Sequence, residues 1–333
     1  MESGNTSKSF LSETPYWNND TILFKPVFNI IISPITLVMS LLGMVGNGLV
    51  VWYLSFKIKR TTSSIYVFNL AVADSAFLLF AFIFHIFALS FALIPNLESQ
   101  YEDERVINLT GVLILACLFC YNTSLCLLTA ISIERCLSVL FPIWYHCNRP
   151  RHTSSIVCTL IWIVSCILCA LEFAFCYNID YNRKGILKES SRECKVVFII
   201  ICCFSFVIFI PSMTVSSFIL LIKVWASSQH RQLKKLYVII AVTVLVFLVF
   251  GMPMRVLLLV WYKHHSVPSF LMMDLFDLFC ITNSCINPFT YFLVGRHGQG
   301  GKITLLSIMQ AVFREDWNNS RRDLRKPTEE TIM

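Results

Sequence analysis

Residues 64–93 read SIYVFNLAVADSAFLLFAFIFHIFALSFAL, an apolar run interrupted by one carboxylate, Asp74, and one imidazole, His85. Roughly 20 apolar residues at 1.5 Å each cross a hydrocarbon core of about 30 Å, so the run reads as a bilayer-spanning helix. The rest of the 333-residue chain follows suit: 56% of it is apolar and only 14% charged, where a soluble domain carries about a quarter charged residues. The length could hold two ordinary domains, but apolar blocks of this size exclude a soluble enzyme, a disordered chain and a nucleic-acid-binding domain.

Windows of about 19 residues predict seven spans, at 28–56, 64–93, 106–140, 153–175, 196–224, 236–262 and 270–294. The third is the least clean, broken by Asn122, Thr123, Ser124, Glu134 and Arg135. The chain therefore reads as an all-α membrane protein, a seven-transmembrane helix bundle at 28–294. An extracellular segment at 1–27 precedes it, and a cytosolic tail at 295–333 follows. The first 27 residues are polar and show no signal peptide, so the first span is expected to act as its own insertion signal.

Lys and Arg in the short loops set the orientation. Lys57, Lys59 and Arg60 follow the first span, Arg149 and Arg151 the third, and Lys223, Arg231, Lys234 and Lys235 cluster at the inner end of the fifth. The loop after the second span is acidic, with Glu98, Glu102, Asp103 and Glu104 against one Arg105. The N-terminus is thus expected outside and the C-terminus in the cytosol. The sequons at Asn5 and Asn19 fall on the outer side, where N-glycosylation occurs. Of 14 cysteines, Cys176 and Cys194 are the two that reach the outer surface. A disulfide between them would contribute roughly 3 kcal/mol in the chain-entropy picture; two free thiols are the other reading.

Charges inside the spans cost at least about 2.5 kcal/mol each, which makes every one a functional candidate. Asp74 shares its depth with Asn47, Ser124, Asn283, Ser284 and Asn287. Those oxygens could cage a small hard cation, or simply join helices as a hydrogen-bonded polar core. Glu134-Arg135-Cys136 lies where the third span meets the cytosol. An adjacent acid and base there can pair in one state and part in another, or merely end a helix as a solvated pair. Asn287-Pro288-Phe289-Thr290-Tyr291 interrupts the last span, and Pro211 and Pro253 sit within the fifth and sixth. Proline kinks helices, so the inner ends of the bundle are expected to swing.

Taken in order, these features resemble the rhodopsin-like (class A) G protein-coupled receptors. The matching pieces are Gly46-Asn47, the run Leu70-Ala71-Val72-Ala73-Asp74, Glu134-Arg135-Cys136, Trp162, Pro211, Pro253 and Asn287 to Tyr291. Span three, through Pro142-Ile143-Trp144-Tyr145 and Arg149-Pro150, together with Gly251-Met252-Pro253-Met254-Arg255, is similar to the Mas-related receptor family within that class. Departures from the wider class fit this family: Thr110 stands where a tethering Cys is usual, Gly251 where an aromatic toggle is usual, and Leu233 where an acid usually holds the span-three Arg. The resemblance therefore implies that Arg135 is held by Glu134.

The resemblance implies a receptor and no enzyme, placed in the plasma membrane. An extracellular peptide or cationic amine agonist would drive a heterotrimeric G protein, Gq or Gi first, with arrestin as a further candidate partner and lipid as its surroundings. Glu134, Arg135, Asn287, Pro288 and Tyr291 would form the switch. Asp74, Ser124, Asn283, Ser284 and Asn287 would hold an allosteric sodium ion, with no cofactor required. Glu172, four residues before Cys176, resembles half of an acidic ligand site; Phe198 stands where the second acid would be. Glu172 either meets a cationic ligand or pairs with Arg255. Asp274 and Asp277 are further ligand candidates. Beyond Gly301, Ile303 to Phe313 suggest a short amphipathic helix, Ser307, Ser320, Thr328 and Thr331 are candidate phosphosites, and Glu330 to Met333 loosely resembles a PDZ-binding end. The alternative, a multi-span transporter or channel, usually shows internal repeats, and none is evident.

Overall fold

The computed structural model describes residues 19–58, 61–93, 104–150, 152–176, 192–226, 245, 249 and 270–296. Asn5, the sixth span with Gly251, Pro253 and Arg255, Leu233 and the tail from 297 onward lie outside the described residues, as do the side chains of Cys176, Cys194 and Asp274. The described elements are helices throughout: α1 Asn19–Phe56, α2 Thr62–Leu93, α3 Glu104–Leu140, α4 Pro142–Cys147, α5 Thr153–Cys176, α6 Arg192–Cys203, a π-helical turn Phe204–Phe209, α7 Ile210–Ala226 and α8 Phe270–Arg296. Among the described residues no strand occurs. In hydrocarbon this follows from chemistry, because only helices and closed barrels satisfy every backbone N–H and C=O without water.

Five of these segments are long and apolar enough to cross a membrane: Ile31–Phe56, Thr62–Phe91, Asn108–Ser138, Thr153–Phe175 and Ile199–Ser216. The first helix starts nine residues earlier than position 28, at Asn19, so that sequon opens α1. The fifth span is continuous only through the π turn. Pro211 has no N–H for the carbonyl four residues back, and its ring crowds that carbonyl. The expected kink is met by widening the preceding turn into the π form.

α3 packs against α2, α5 and α7, while α1 lies against both α2 and α8. Polarity runs inside out compared with a soluble fold. Ser33, Thr36, Ser40, Gly43, Asn47 and Val50 recur at spacings of three and four along α1, and all are buried. Val38, Leu41, Val45 and Trp52 on the opposite side are exposed, where the fold places lipid. The residues that break up the apolarity of span three, Asn122, Thr123 and Ser124, are all buried as well. Apolar filling is contributed by Leu70, Phe77, Leu78, Leu125, Leu128, Met213 and Ile281.

With no hydrophobic force between helices in lipid, close packing carries the association, and small residues set the approach. A Cβ at Gly43 would collide with the Cys285 sulfur and come within 2.7 Å of Leu78 Cδ1; at Gly46 it would meet Pro288 Cβ at 3.2 Å; at Gly48 it would meet nothing. Gly43→Ala is therefore expected to lower the thermal stability of the purified protein by about 1–3 kcal/mol through overpacking, while Gly48→Ala leaves it unchanged or slightly raised. Equal melting temperatures for the two variants would sink this account of the α1–α8 contact.

Candidate functional site

Two polar clusters occupy the described bundle, one at mid-depth and one at the end expected to face the cytosol, where α3 gives way to α4. The first is built by a proline. Pro288 cannot donate to the carbonyl of Ser284, one helical turn earlier, yet α8 runs through it without a break. Asn47 on α1 donates its side-chain Nδ2 to that carbonyl at 3.1 Å and to Gly43 O at 3.0 Å. The freed backbone group of α8 thereby becomes an α1–α8 tether, as an apolar environment demands.

One residue before the proline, Asn287 donates from Nδ2 to Asp74 Oδ2 at 2.8 Å. The Ser124 hydroxyl donates to Asp74 Oδ1 at 2.9 Å. The Ser284 hydroxyl also bonds the carboxylate. Asp74 is fully buried and joins α2, α3 and α8 through hydrogen bonds to uncharged groups. Asn283, next in the cluster, is 1% exposed, and its Nδ2 has no hydrogen-bond partner. Among the described residues no three His, Cys, Asp or Glu side chains gather as a metal site. The surroundings of Asp74 are instead a single carboxylate with hydroxyl and amide oxygens, a donor set that suits a hard monovalent cation better than a transition metal. The structure thus brings together the candidate sodium ligands Asp74, Ser124, Ser284 and Asn287, while Asn283 sits beside them on α8. A second interhelical bond, from Trp162 Nε1 to Asn69 Oδ1 at 3.0 Å, ties α5 to α2.

The cytosolic cluster corrects the sequence expectation for Glu134. Its ion pair runs to Arg149, Nη2 to Oε1 at 2.6 Å, rather than to the adjacent Arg135. The Tyr145 hydroxyl donates to the same oxygen at 2.7 Å. Arg149 also donates from Nη1 to the Tyr145 oxygen at 3.0 Å and from Nη2 to Ser154 Oγ at 2.9 Å, with its guanidinium carbon 4.8 Å from the Tyr145 ring centre. Burial, reinforced by the neighbouring Glu134 charge, pushes the Tyr145 phenol well above its usual range, so it keeps its proton and donates. The reason for the correction is position: Pro142 restarts the chain as α4, and that short helix carries Tyr145 and the residues after it back over the end of α3. Tyr145, Arg149 and Ser154 had no sequence signal as partners. Arg149 registered as a topological positive charge and, with Tyr145, as part of the family resemblance.

Tyr291, the last residue of the α8 motif, packs against Val50, Leu54, Val67 and Ala71 of α1 and α2. Beside the cytosolic cluster, Phe141, Ile143 and Trp144 are exposed, Ile143 to 81%. Toward the outer side, Glu172 is half-buried one turn before the end of α5, and Asp277 is half-buried on α8, near enough to α3 for its charge to act on the Cys117 thiol. Arg255, the alternative partner for Glu172, lies outside the described residues.

The sequence profile of the family described as "7 transmembrane receptor (rhodopsin family)" matches residues 46–291. The chain is 40% identical to "Proto-oncogene Mas" of Mus musculus over 285 residues, covering 85% of this chain and 84% of that one. It is 40% identical over 307 residues to "Mas-related G-protein coupled receptor member H" of Rattus norvegicus, covering 91% and 89%. To "Mas-related G-protein coupled receptor member B2" of Mus musculus it is 36% identical over 292 residues, covering 84% and 80%.

The mid-depth geometry predicts that Asn47→Leu strands the Ser284 carbonyl. The expected loss is about 1–3 kcal/mol, the penalty of an unsatisfied buried acceptor, read as a fall in melting temperature of the purified protein. An unchanged melting temperature would mean that another group reaches that carbonyl and that the tether is unimportant.

Proposed function

This chain belongs to the rhodopsin family of seven-transmembrane receptors and, within it, to the Mas-related G protein-coupled receptors, and from that premise we propose that an extracellular peptide or cationic amine drives it to activate Gq or Gi. The observation that carries the proposal is the Asp74 cluster. One carboxylate links α2, α3 and the proline-bearing α8 through three neutral groups, so it can be satisfied in more than one arrangement of those helices. An agonist that binds the alternative arrangement more tightly shifts the population toward it, and linkage requires the G protein to raise agonist affinity in return.

In this mechanism Asp74, Ser124, Ser284, Asn287 and Asn283 are the residues that would hold a sodium ion in the resting receptor, where a bound ion would supply positive charge to the buried carboxylate. Ser124 and Asn287 each carry an acceptor oxygen as well as the hydrogen they donate to Asp74. Tyr291 leaves its packing against α1 and α2, and the inner end of α8 moves with it. On the cytosolic side Arg135 and the exposed Phe141, Ile143 and Trp144 meet the G protein, the apolar side chains giving the contact buried area. On the outer side Glu172 and Asp277 provide the negative charge for a basic ligand, with Asp274 beside them in sequence. We place the receptor in the plasma membrane with Asn5 and Asn19 glycosylated outside, a Cys176–Cys194 bridge closing the outer end of the bundle, and the tail, with arrestin as its later partner, in the cytosol.

The test is a Gα subunit-dissociation assay in cells, run for each Gα class at matched surface level with a panel of basic peptides and amines. Arg135→Ala is expected to abolish the response, and Glu172→Gln to weaken cationic agonists by at least roughly tenfold, about 1.4 kcal/mol. Agonists acting equally well on Glu172→Gln would remove the ligand site and leave the receptor. Replacing choline by sodium should lower agonist affinity in the native chain and have no effect in Asp74→Asn. Sodium sensitivity that survives Asp74→Asn would place the ion elsewhere.

A further inference from the structure

The short helix α4 has little of its own to keep it helical. It spans six residues, Pro142–Cys147, and Phe141 at its N-cap makes no side-chain capping bond. Isolated helices of fewer than about 12 residues are marginal even with favourable sequences. Yet the turn is regular, with Tyr145 N–H bonded to Phe141 O and Asn148 N–H to Trp144 O, each at 2.9 Å. Something outside the helix holds it.

The anchor is Arg149. Its guanidinium reaches three elements at once: Glu134 near the end of α3, the Tyr145 phenol oxygen on α4, and Ser154 Oγ at the start of α5. The Tyr145 hydroxyl in turn donates to Glu134, and the guanidinium carbon lies 4.8 Å from the Tyr145 ring centre. The Ser154 hydroxyl also bonds the Tyr66 phenol of α2. The side chain of Arg149 is only 8% exposed, so this is no screened surface pair. A rigid fork of five N–H donors can serve a carboxylate, a phenol and a hydroxyl together. Ile143, two positions before Tyr145 and so about 200° round the helix, lies on the side away from this anchor and is exposed, as is Trp144.

We infer that Arg149 is a positioning residue for α4: by holding Tyr145 against α3 and α5 it keeps the short helix formed and fixes Ile143 and Trp144 where a partner meets them. The inference rests on the receptor reading above, in which that partner is the G protein, and adds to it the device that sets the contact surface. Arg149 acts through Tyr145 rather than by touching the partner, because its guanidinium is turned inward onto Glu134, Tyr145 and Ser154.

Two measurements on the full chain test this. The first, hydrogen exchange of the purified protein, needs neither agonist nor G protein. Arg149→Gln should speed exchange of the amides at 142–148 roughly tenfold or more, the equivalent of about 1.4 kcal/mol of local opening, and leave those of α1 and α2 as they were. Tyr145→Phe, which keeps every charge, should act in the same direction, and carries the test alone if Arg149→Gln does not fold. Unchanged exchange at 142–148 overturns the proposal. Faster exchange throughout the bundle also overturns it, since Arg149 would then be a general prop and not an anchor for α4.

The second is Gα dissociation at matched surface level, with whichever basic peptide or amine of the panel gives the largest response in the native chain. Arg149→Gln and Tyr145→Phe should each lower that response roughly fivefold or more, the low end of an ordinary coupling free energy. Ile143→Ser should lower it in the native chain and add little to Arg149→Gln, because a surface already out of place has no contact left to lose. Independent, additive losses overturn the proposal. A loosened α4 with an undiminished response overturns this inference and leaves the receptor reading standing; silence of the native chain with every Gα class overturns both.

Discussion

Pro288 leaves the carbonyl of Ser284 without a helical donor, and at membrane depth no water takes its place. The described bundle is arranged around meeting that demand. Asn47 can reach the carbonyl only because α1 lies against α8, and α1 can lie there only because Gly43 and Gly46 present no side chain to Cys285 and Pro288. One residue earlier on α8, Asn287 is thereby held at Asp74, and Ser124 brings α3 to the same carboxylate. A missing N–H in one helix thus fixes the relation of four. It also explains why the interior is polar and the exterior apolar: in lipid it is packing and satisfied hydrogen bonds, rather than burial of apolar surface, that distinguish inside from outside.

The same logic separates the two polar clusters by what each can do. At mid-depth Asp74 is bonded by uncharged groups, each of which carries an acceptor oxygen beside the hydrogen it donates. At the other end of α3 Glu134 is bonded by a guanidinium, which has donors only, and by a phenol whose oxygen already accepts from that guanidinium. The first cluster suits an exchangeable ion or a helix rearrangement. The second is an ion pair that joins the end of α3 to the segment after α4. Between them Tyr291, buried against α1 and α2, marks the segment of α8 that would transmit a change from one to the other.

Much of this was legible in the sequence because membrane chemistry leaves few options. A carboxylate in the middle of an apolar run must be satisfied, which drew attention to Asp74, and the polar residues at equal depth along the other spans were its natural partners. Trp162 and Asn69 were both visible as single residues. Their mutual hydrogen bond was not, since nothing in a linear pattern says which helices are neighbours. The π turn before Pro211 was foreseen only as a kink, because proline demands a change of geometry without dictating its form.

The sequence by itself determined the spans it could show by apolarity and the positions where polar atoms had to find partners, because desolvation in hydrocarbon is a local penalty that composition reveals. Only the tertiary structure decided which partners were found. Glu134 has a cation one residue away and takes another fifteen residues on, because Pro142 restarts the chain as α4 and brings the loop that follows, with Arg149, back over the end of α3. Proximity along a chain ranks candidates; the direction in which a short helix leaves a proline selects among them, and that direction is set by packing, which no single stretch of sequence contains.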